Sequence, residues 1–211
     1  MASTATPYGL KPVRRADGLP YAGAVTQYLI DPAGEATNLF TGQVVILGAD
    51  GYIAISTATG GDATTNNLGG SGVGAIGVFM GCEYVNAQGQ VIHLPYYPSA
   101  YAAPTGTAIK AFVVDDPNVL FQAQLDGTGA QTIIGTNTLF PTVQSTSTGS
   151  TAYGTSTSAL DATVQTATAA FRVVAHVSSP SDAYPDVLVK FNPGYHSFCL
   201  LYTSDAADDW L

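Results

Sequence analysis

Short apolar runs recur along the whole chain and are separated by residues that form turns. They lie at Ala24–Ile30, Gln43–Leu47, Tyr52–Ser56, Ala75–Val85, Gln90–Tyr97, Thr107–Val114, Val119–Leu125, Ala169–Val177 and Asp186–Phe191. Most runs have the length of a strand, and no apolar pattern of helical period extends for long. The pattern therefore predicts an all-β fold, a sandwich or barrel of short antiparallel strands.

The clearest turn signals lie between consecutive runs. Gly48–Gly51 contains Asp-Gly between two apolar runs, which is a strong hairpin signal. Asn86–Gly89 and Asp115–Asn118 predict two further turns, and Ser178–Pro185 predicts a fourth. The chain is therefore expected to reverse direction at short intervals.

Two segments near the C-terminal end allow finer predictions. Phe171–Val177 alternates in a way that predicts one apolar face, on which four residues would lie: Phe171, Val173, Ala175 and Val177. We expect His176 on the outer face of this strand. The only helical candidate is Ala159–Ala170, and its Thr content argues against a helix.

The predicted organisation is an arm, one domain and a tail. Residues 1–22 contain three prolines, which exclude a long helix, and we expect an extended N-terminal arm that docks on a neighbour. Residues 23–198 are expected to form a single β-rich domain, with a Thr/Ser/Gly-rich section at residues 126–168. Deleting Met1–Arg15 is then expected to abolish partner binding and to leave the domain folded.

The end of the chain resembles a laboratory sequence. Cys199–Asp209 match in frame the translation of a transposase sequencing adapter. We therefore expect residues 199–211 to be a non-native tail, with the true C-terminus beyond Phe198 missing. The alternative is a genuine acidic tail. A non-native tail leaves Cys82 as the sole native cysteine, which excludes an internal disulfide.

Composition narrows the classes of function. Hydrophobic residues make up 46% of the 211 residues and charged residues only 10%, against roughly 25% charged in an average soluble protein. So few charges suit a subunit that is buried in an assembly. The net charge is −9 with six basic residues, so we expect no nucleic-acid partner. No run approaches the ~20 apolar residues of a membrane span, so we expect no membrane partner.

Motifs for catalytic or cofactor chemistry are weak in this chain. Gly72–Gly77 matches G-x-G-x-x-G, but a dinucleotide site needs a strand before the motif and a helix after it, and here a loop precedes and a strand follows. Asp115 and Asp116 are adjacent, which suits a turn better than an acid/base pair. No nucleophile–base arrangement is visible, so we expect no enzyme activity and no cofactor.

Metal-ligating residues are scattered along the sequence. His93, His176 and His196 show no ligand spacing. Cys82 lies within an apolar strand, where the simplest interpretation is a small buried side chain. Two metal sites are less favoured alternatives. The histidines could converge in space to bind a metal, and the paired aspartates could bind calcium.

Two groups of residues are candidates for contact with a partner. The first is the N-terminal group Tyr8, Leu10, Lys11, Arg14 and Arg15. The second is a group of tyrosines that are close in sequence: Tyr84, Tyr96, Tyr97 and Tyr101. Tyrosines on a β-scaffold pack in cores and interfaces or stack on sugar rings. Packing is the favoured interpretation, and glycan binding is the alternative.

Four segments resemble structural proteins of tailed bacteriophages: Thr6–Val13, Gly77–Tyr84, Ala111–Pro117 and Val187–Asn192. The likeness covers most of the chain before the tail and is weaker in the Thr/Ser/Gly-rich section. The resemblance implies an accessory subunit of the virion, a decoration or cement protein on the outer capsid. It also implies the major capsid protein as partner and a homo-oligomer, with a trimer favoured.

These expectations lead to one function and one alternative. We expect a chain that is made in the host cytoplasm and then decorates or stabilises a phage capsid by binding across major capsid subunits. A partner that binds only the assembled lattice stabilises that lattice. The alternative is a glycan- or surface-binding β-module of the virion.

Overall fold

The computed structural model describes residues 4–56, 74–99, 101–140, 142, 144, 148–163 and 169–199. Antiparallel strands dominate this part of the chain, and its helical segments are two single-turn 3-10 helices, Gln131–Ile133 and Ser197–Cys199. The predicted all-β class is confirmed. The tail from residue 200 onward and the loop at residues 57–73 lie outside the described residues.

Numbered in chain order, the strands are β1 (Lys11–Arg15), β2 (Thr26–Ile30), β3 (Leu39–Phe40), β4 (Val44–Leu47), β5 (Ile53–Ile55), β6 (Ala75–Val85), β7 (Val91–Leu94), β8 (Tyr96–Tyr97), β9 (Ile109–Val114), β10 (Val119–Gln124), β11 (Asn137–Thr138), β12 (Gly149–Ser150), β13 (Thr155–Ser156), β14 (Phe171–His176) and β15 (Asp186–Phe191). A five-stranded sheet has the order β1-β10-β15-β14-β11. A six-stranded sheet has the order β2-β9-β6-β4-β5, with β7 paired to β6. Two small sheets, β3-β8 and β12-β13, accompany them.

The two large sheets pack as a sandwich around the first of two hydrophobic clusters. This cluster combines Phe121 of β10 and Val189 of β15 with Val114 of β9, and their side chains are at most 1% exposed. Val113 belongs to the second cluster, on the other face of the six-stranded sheet. Successive side chains of a strand point to opposite faces, so β9 contributes to both clusters. Burial on both faces explains the nearly continuous apolar sequence of β6.

The predicted turns are present, but one of them has an unexpected role. β4 and β5 pair across Gly48–Gly51, and β6 and β7 pair across Asn86–Gly89, so both hairpins are confirmed. Asp115–Asn118 instead joins β9 to β10, which lie in different sheets. This turn therefore carries the chain from one layer of the sandwich to the other.

The alternation predicted for Phe171–Val177 holds only in its first half. Val173 is fully buried, whereas Val177 is 49% exposed. The ladder between β14 and β15 has a register shift between Val173 and Ala175, which is a β-bulge. A bulge adds an unpaired residue and turns the following side chains to the other face. The prediction that Ala175 and Val177 share the core face is therefore wrong. The prediction that His176 lies on the outer face is also wrong, because His176 lies opposite Val187, which belongs to the first cluster.

The extended N-terminal arm is not confirmed. β1 pairs with β10 at the edge of the five-stranded sheet, and Leu10 ahead of it is 1% exposed within the first cluster. The Gln124 side chain holds the preceding residues, because its Oε1 accepts from the Thr6 N–H at 2.8 Å and its Nε2 donates to the Thr4 carbonyl at 3.2 Å. The segment from residue 4 onward therefore belongs to the folded domain.

The Thr/Ser/Gly-rich section contributes short strands and no α-helix where it is described. The described parts of the helical candidate, residues 159–163 and 169–170, contain no helix, and Leu160 forms an isolated bridge with Leu125. Among the residues that the structure describes, no helix has the length and apolar character needed to cross a membrane.

Candidate partner-binding surface

An aspartate fastens the N-terminal segment to the outer face of the five-stranded sheet, the face turned away from the first cluster. Asp186, the first residue of β15, accepts one hydrogen bond from the Tyr8 hydroxyl and one from the Gln122 amide, both at 3.0 Å. Burial, and then the Asp186 charge, raise the pKa of Tyr8 well above its ordinary value. The phenol therefore stays protonated and remains a hydrogen-bond donor.

A cavity of about 450 Å³ opens beside this segment. Its lining residues are Tyr8, Leu10, Lys11, Thr41, Met80, Gln122 and Thr155. Apolar surface from Leu10 and Met80 is combined there with hydroxyl, amide and ammonium groups. This mixture fits an apolar side chain that is flanked by hydrogen-bonding groups. Leu10 forms part of the wall but is too deeply buried to project toward a neighbour, as we had expected it to do.

A short hairpin next to the cavity presents an exposed aromatic side chain. Tyr153 lies in the turn between β12 and β13 and is 79% exposed. The backbone of Thr41 anchors the hairpin, because its N–H donates to the Gly154 carbonyl at 3.0 Å and its carbonyl accepts from the Ser156 N–H at 2.8 Å. Thr155 of the same hairpin lines the cavity. An exposed tyrosine on an anchored turn is typical of a contact hot spot.

The three basic residues that were predicted as partner contacts have different surroundings in the structure. The register of the β1–β10 ladder places Lys11 and Arg14 on the outer face of the sheet, where both are exposed. Arg15 instead faces acidic groups, with its Nε 3.5 Å from carboxylate oxygens of both Asp17 and Asp116. Lys11 and Arg14 are therefore accessible to a partner, whereas Arg15 is engaged within the chain.

The four tyrosines of the second group lie close together, but two of them are inside the protein. Tyr97 is fully buried and Tyr84 is 8% exposed. The rings of Tyr84 and Tyr101 are 4.3 Å apart, and Tyr96 stacks on Phe40 at 5.7 Å. Burial raises the pKa of Tyr97 to about 12. Buried rings offer no face to a sugar, so this arrangement favours packing within the chain.

Potential metal ligands stay apart where the structure describes them. No three His, Cys, Asp or Glu side chains of the described residues are grouped so as to hold a metal ion. His93 lies 3.6 Å from Glu83, and His176 lies 3.1 Å from the Ala130 carbonyl. Burial raises the pKa of the Cys82 thiol to about 12, so it stays protonated and unreactive.

The glycines of the G-x-G-x-x-G match have a structural role where they are described. β6 begins at Ala75, inside the motif, so the motif continues into a strand and not into a helix. A Cβ at Gly77 would lie 2.8 Å from the carbonyl carbon of Val114, which only glycine avoids. Asp116 accepts a hydrogen bond from the Asn118 N–H at 2.8 Å, which is turn chemistry as predicted.

No family model, curated protein or solved structure matches this chain. The class of protein therefore comes from the fold, an antiparallel β-sandwich with an anchored hairpin beside a cavity. Sequence reasoning missed Tyr153, Asp186 and Gln124. A Tyr-Gly pair in a Thr/Ser-rich stretch is a turn signal for Tyr153. Asp186 and Gln124 act on residues 178 and 118 positions away, which no local pattern reveals.

Proposed function

We propose that this chain is a structural subunit of a bacteriophage head that decorates or stabilises the capsid by binding across major capsid subunits. The observation that carries the proposal is the exposed Tyr153 on an anchored hairpin, whose Thr155 lines a largely apolar cavity. Surfaces of this kind bind through shape and contact area around an aromatic anchor. The resemblance of four segments to tailed-phage structural proteins supplies the class of partner.

The proposal includes a location on the outer surface of the virion and assembly as a homo-oligomer, with a trimer favoured. Charged residues make up only 10% of the chain, so few charges oppose contact between subunits. Leu19 and Val25 are 57% and 41% exposed and add apolar surface for such contacts.

Purified virions provide the direct test of this function. Mass spectrometry of the particles is expected to find the chain in many copies, and imaging is expected to place it over seams between capsid subunits. A chain that is absent from intact particles would refute the proposal.

Tyr153→Ala is expected to weaken binding to shells that lack the protein by about 2 kcal/mol, roughly 30-fold, since truncating an aromatic hot spot has this effect. Co-sedimentation with such shells measures the affinity. Val91→Ala is the matched control, because Val91 is 56% exposed on β7, outside the hairpin and the cavity lining. An equal effect of both substitutions, or none, would contradict the role of Tyr153.

The same side chain favours glycan binding as a second candidate function. An exposed tyrosine ring is a surface on which sugar rings stack, and Tyr153 is 79% exposed whereas Tyr84 and Tyr97 are buried. A glycan array probed with the labelled protein separates the two candidates. Hits that disappear with Tyr153→Ala, together with absence from virions, would favour this alternative.

A further inference from the structure

The outer face of the five-stranded sheet collects most of the basic residues of an acidic protein. The chain has six basic and fifteen acidic residues. Five of the six basic residues belong to strands of this one sheet, and four of these lie on its outer face: Lys11, Arg14, Arg172 and Lys190. Arg172 and Lys190 are direct partners in the β14–β15 ladder, and residues opposite each other share a face.

Three of these residues form a row across the sheet. Arg14 lies opposite Leu120 of β10. The β10–β15 ladder, continued by one residue, places Leu120 opposite Lys190, whose neighbour on β14 is Arg172. With strands spaced about 4.8 Å apart, the row is about 14 Å long. We call Arg14, Lys190 and Arg172, together with Lys11, the basic row.

The charges of the basic row lack acidic partners in the described part of the chain. No carboxylate there lies within 4.0 Å of any of its four members, since the ion pairs belong to Arg15, Lys110 and His93. Arg172 and Lys190 face each other directly, and like charges in this position destabilise a sheet. The arrangement is therefore unfavourable for the isolated subunit.

Asp186 is the acidic residue of β15 on the same face, and it does not neutralise the basic row. Its two carboxylate oxygens accept hydrogen bonds from Tyr8 and Gln122. Leu120 and Leu188 also lie on this face and are 3% and 8% exposed. The Lys190 ammonium donates to the Asn118 side-chain oxygen at 3.0 Å, a neutral partner that does not compensate its charge. The face thus combines cations that have no carboxylate partner with an apolar base.

We propose that the basic row binds an acidic protein surface, whose carboxylates pair with its cations. Charge complementarity selects this occupant, and arginine recognises carboxylates with two parallel hydrogen bonds. A protein is favoured over nucleic acid because nucleic-acid interfaces carry more positive charge than protein interfaces do, and this face presents four cations beside the apolar Leu120 and Leu188. The inference rests on the proposed function for the identity of the partner, an acidic patch of the shell, and it adds the chemistry of the contact.

A fluorescent oligo-glutamate peptide is the probe for this chemistry. Fluorescence anisotropy is expected to show binding that weakens as salt is added. The double substitution Arg172→Gln with Lys190→Gln is expected to reduce the affinity about tenfold. Thermal unfolding of the variant is expected to remain cooperative, because both side chains lie on the solvent side of the sheet and removing one like-charge contact relieves repulsion.

Gln27→Glu with Gln88→Glu is the matched control, because it makes the same change in net charge at exposed positions outside the five-stranded sheet. Peptide binding that is lost in the basic-row variant and kept in the control supports the proposal. Equal affinity of the two variants overturns it. Duplex DNA that binds the wild type more tightly than the peptide, and is lost in the basic-row variant, also overturns it in favour of nucleic acid.

Shell binding of the same two variants separates this inference from the proposed function. Loss of shell binding in the basic-row variant alone supports both. Equal shell binding by wild type and both variants overturns the inference and leaves the proposed function standing. A wild-type protein that binds the peptide through the basic row but never binds shells refutes the proposed function and leaves the acidic chemistry of the partner supported.

Discussion

At the scale of single residues, His196 stands out as a buried titratable group. Its side chain is 1% exposed and lies between the rings of Phe191 and Phe198, at centroid distances of 5.2 and 5.7 Å. Its Nδ1 accepts from the Phe198 N–H, and its buried Nε2 has no hydrogen-bond partner among the described residues. Burial lowers the pKa of His196 from 6.5 to about 4.

We predict that this histidine makes stability depend on pH between about 6.5 and 4. The unfolded chain takes up the proton near pH 6.5, whereas the folded chain takes it up only near pH 4. The stabilisation is therefore complete above pH 6.5 and declines as the pH falls to 4, by at most about 3 kcal/mol. Urea unfolding at a series of pH values measures this decline.

Carboxylates titrate in the same pH range and also affect stability. The variant His196→Phe keeps these carboxylates, so the difference in pH dependence between variant and wild type isolates the effect of His196. The variant is expected to lose less stability than the wild type as the pH falls from 6.5 to 4. Identical pH dependence of the two proteins would show that His196 does not titrate as inferred.

The sequence predicted whether a residue is buried better than it predicted which residues surround it. Cys82 was expected to be a small buried side chain, and it is 1% exposed. Leu10 was expected to face a partner because three prolines nearby suggested an arm, yet it lies in the first cluster. Apolar periodicity reports that a residue is buried, but the partner that buries it is set by long-range pairing.

At the scale of elements, β1 is a strand of the folded domain and not part of a separate arm. It pairs with β10 from Lys11 to Arg15, and Leu10 ahead of it fills the first cluster. We therefore predict, against the expectation from sequence, that a chain without residues 1–15 no longer unfolds cooperatively. The lost ladder and core contacts are comparable with the whole stability of a domain, about 5–15 kcal/mol. Circular dichroism during urea unfolding measures the transition.

Two point substitutions provide reference values for the effect of this deletion on the free energy of unfolding. Leu10→Ala is expected to lower the free energy of unfolding by about 3 kcal/mol, because it leaves a cavity in the core. Leu19→Ala, at a side chain that is 57% exposed, is expected to change it by less than about 0.5 kcal/mol. A truncated chain with an unchanged unfolding midpoint would restore the interpretation of an arm.

The positions of the longer strands from β2 onward and two hairpins followed from the sequence, whereas the rest of the pairing did not. The run Ala75–Val85 coincides with β6 because its apolar residues and flanking turns are local signals. Neither the passage between sheets at Asp115–Asn118 nor the bulge between Val173 and Ala175 could be predicted. The passage and the bulge both depend on which distant strand pairs with the segment, and the local sequence does not indicate that strand.

At the scale of the whole molecule, sparse charge and exposed apolar side chains favour association. Leu19, Val25 and Leu29 are 57%, 41% and 46% exposed in the stretch from β1 to β2. We predict that the isolated protein forms a homo-oligomer, with a trimer as the expected state. Light scattering coupled to size-exclusion chromatography measures the mass. A mass equal to one chain at every concentration tested would contradict this prediction.

The candidate surface was only partly visible in the sequence. The N-terminal group included Tyr8 and Lys11, which do line the cavity. The basic row was not predicted, because Arg172 and Lys190 lie far in sequence from Arg14 and meet it only through the strand order β1-β10-β15-β14. Charge counts therefore suggested a chain without a basic surface, and the topology assembles one.

The strand order of the five-stranded sheet also sets the timing of its completion during synthesis. β10 lies between β1, made first, and β15, made last among the strands described. Asp186–Val189 must therefore leave the ribosome before β10 can be paired on both sides. Until then its edge is open to strands of other nascent chains. Rapid synthesis of the segment between β10 and β15 would shorten the time for which this edge is open to such pairing.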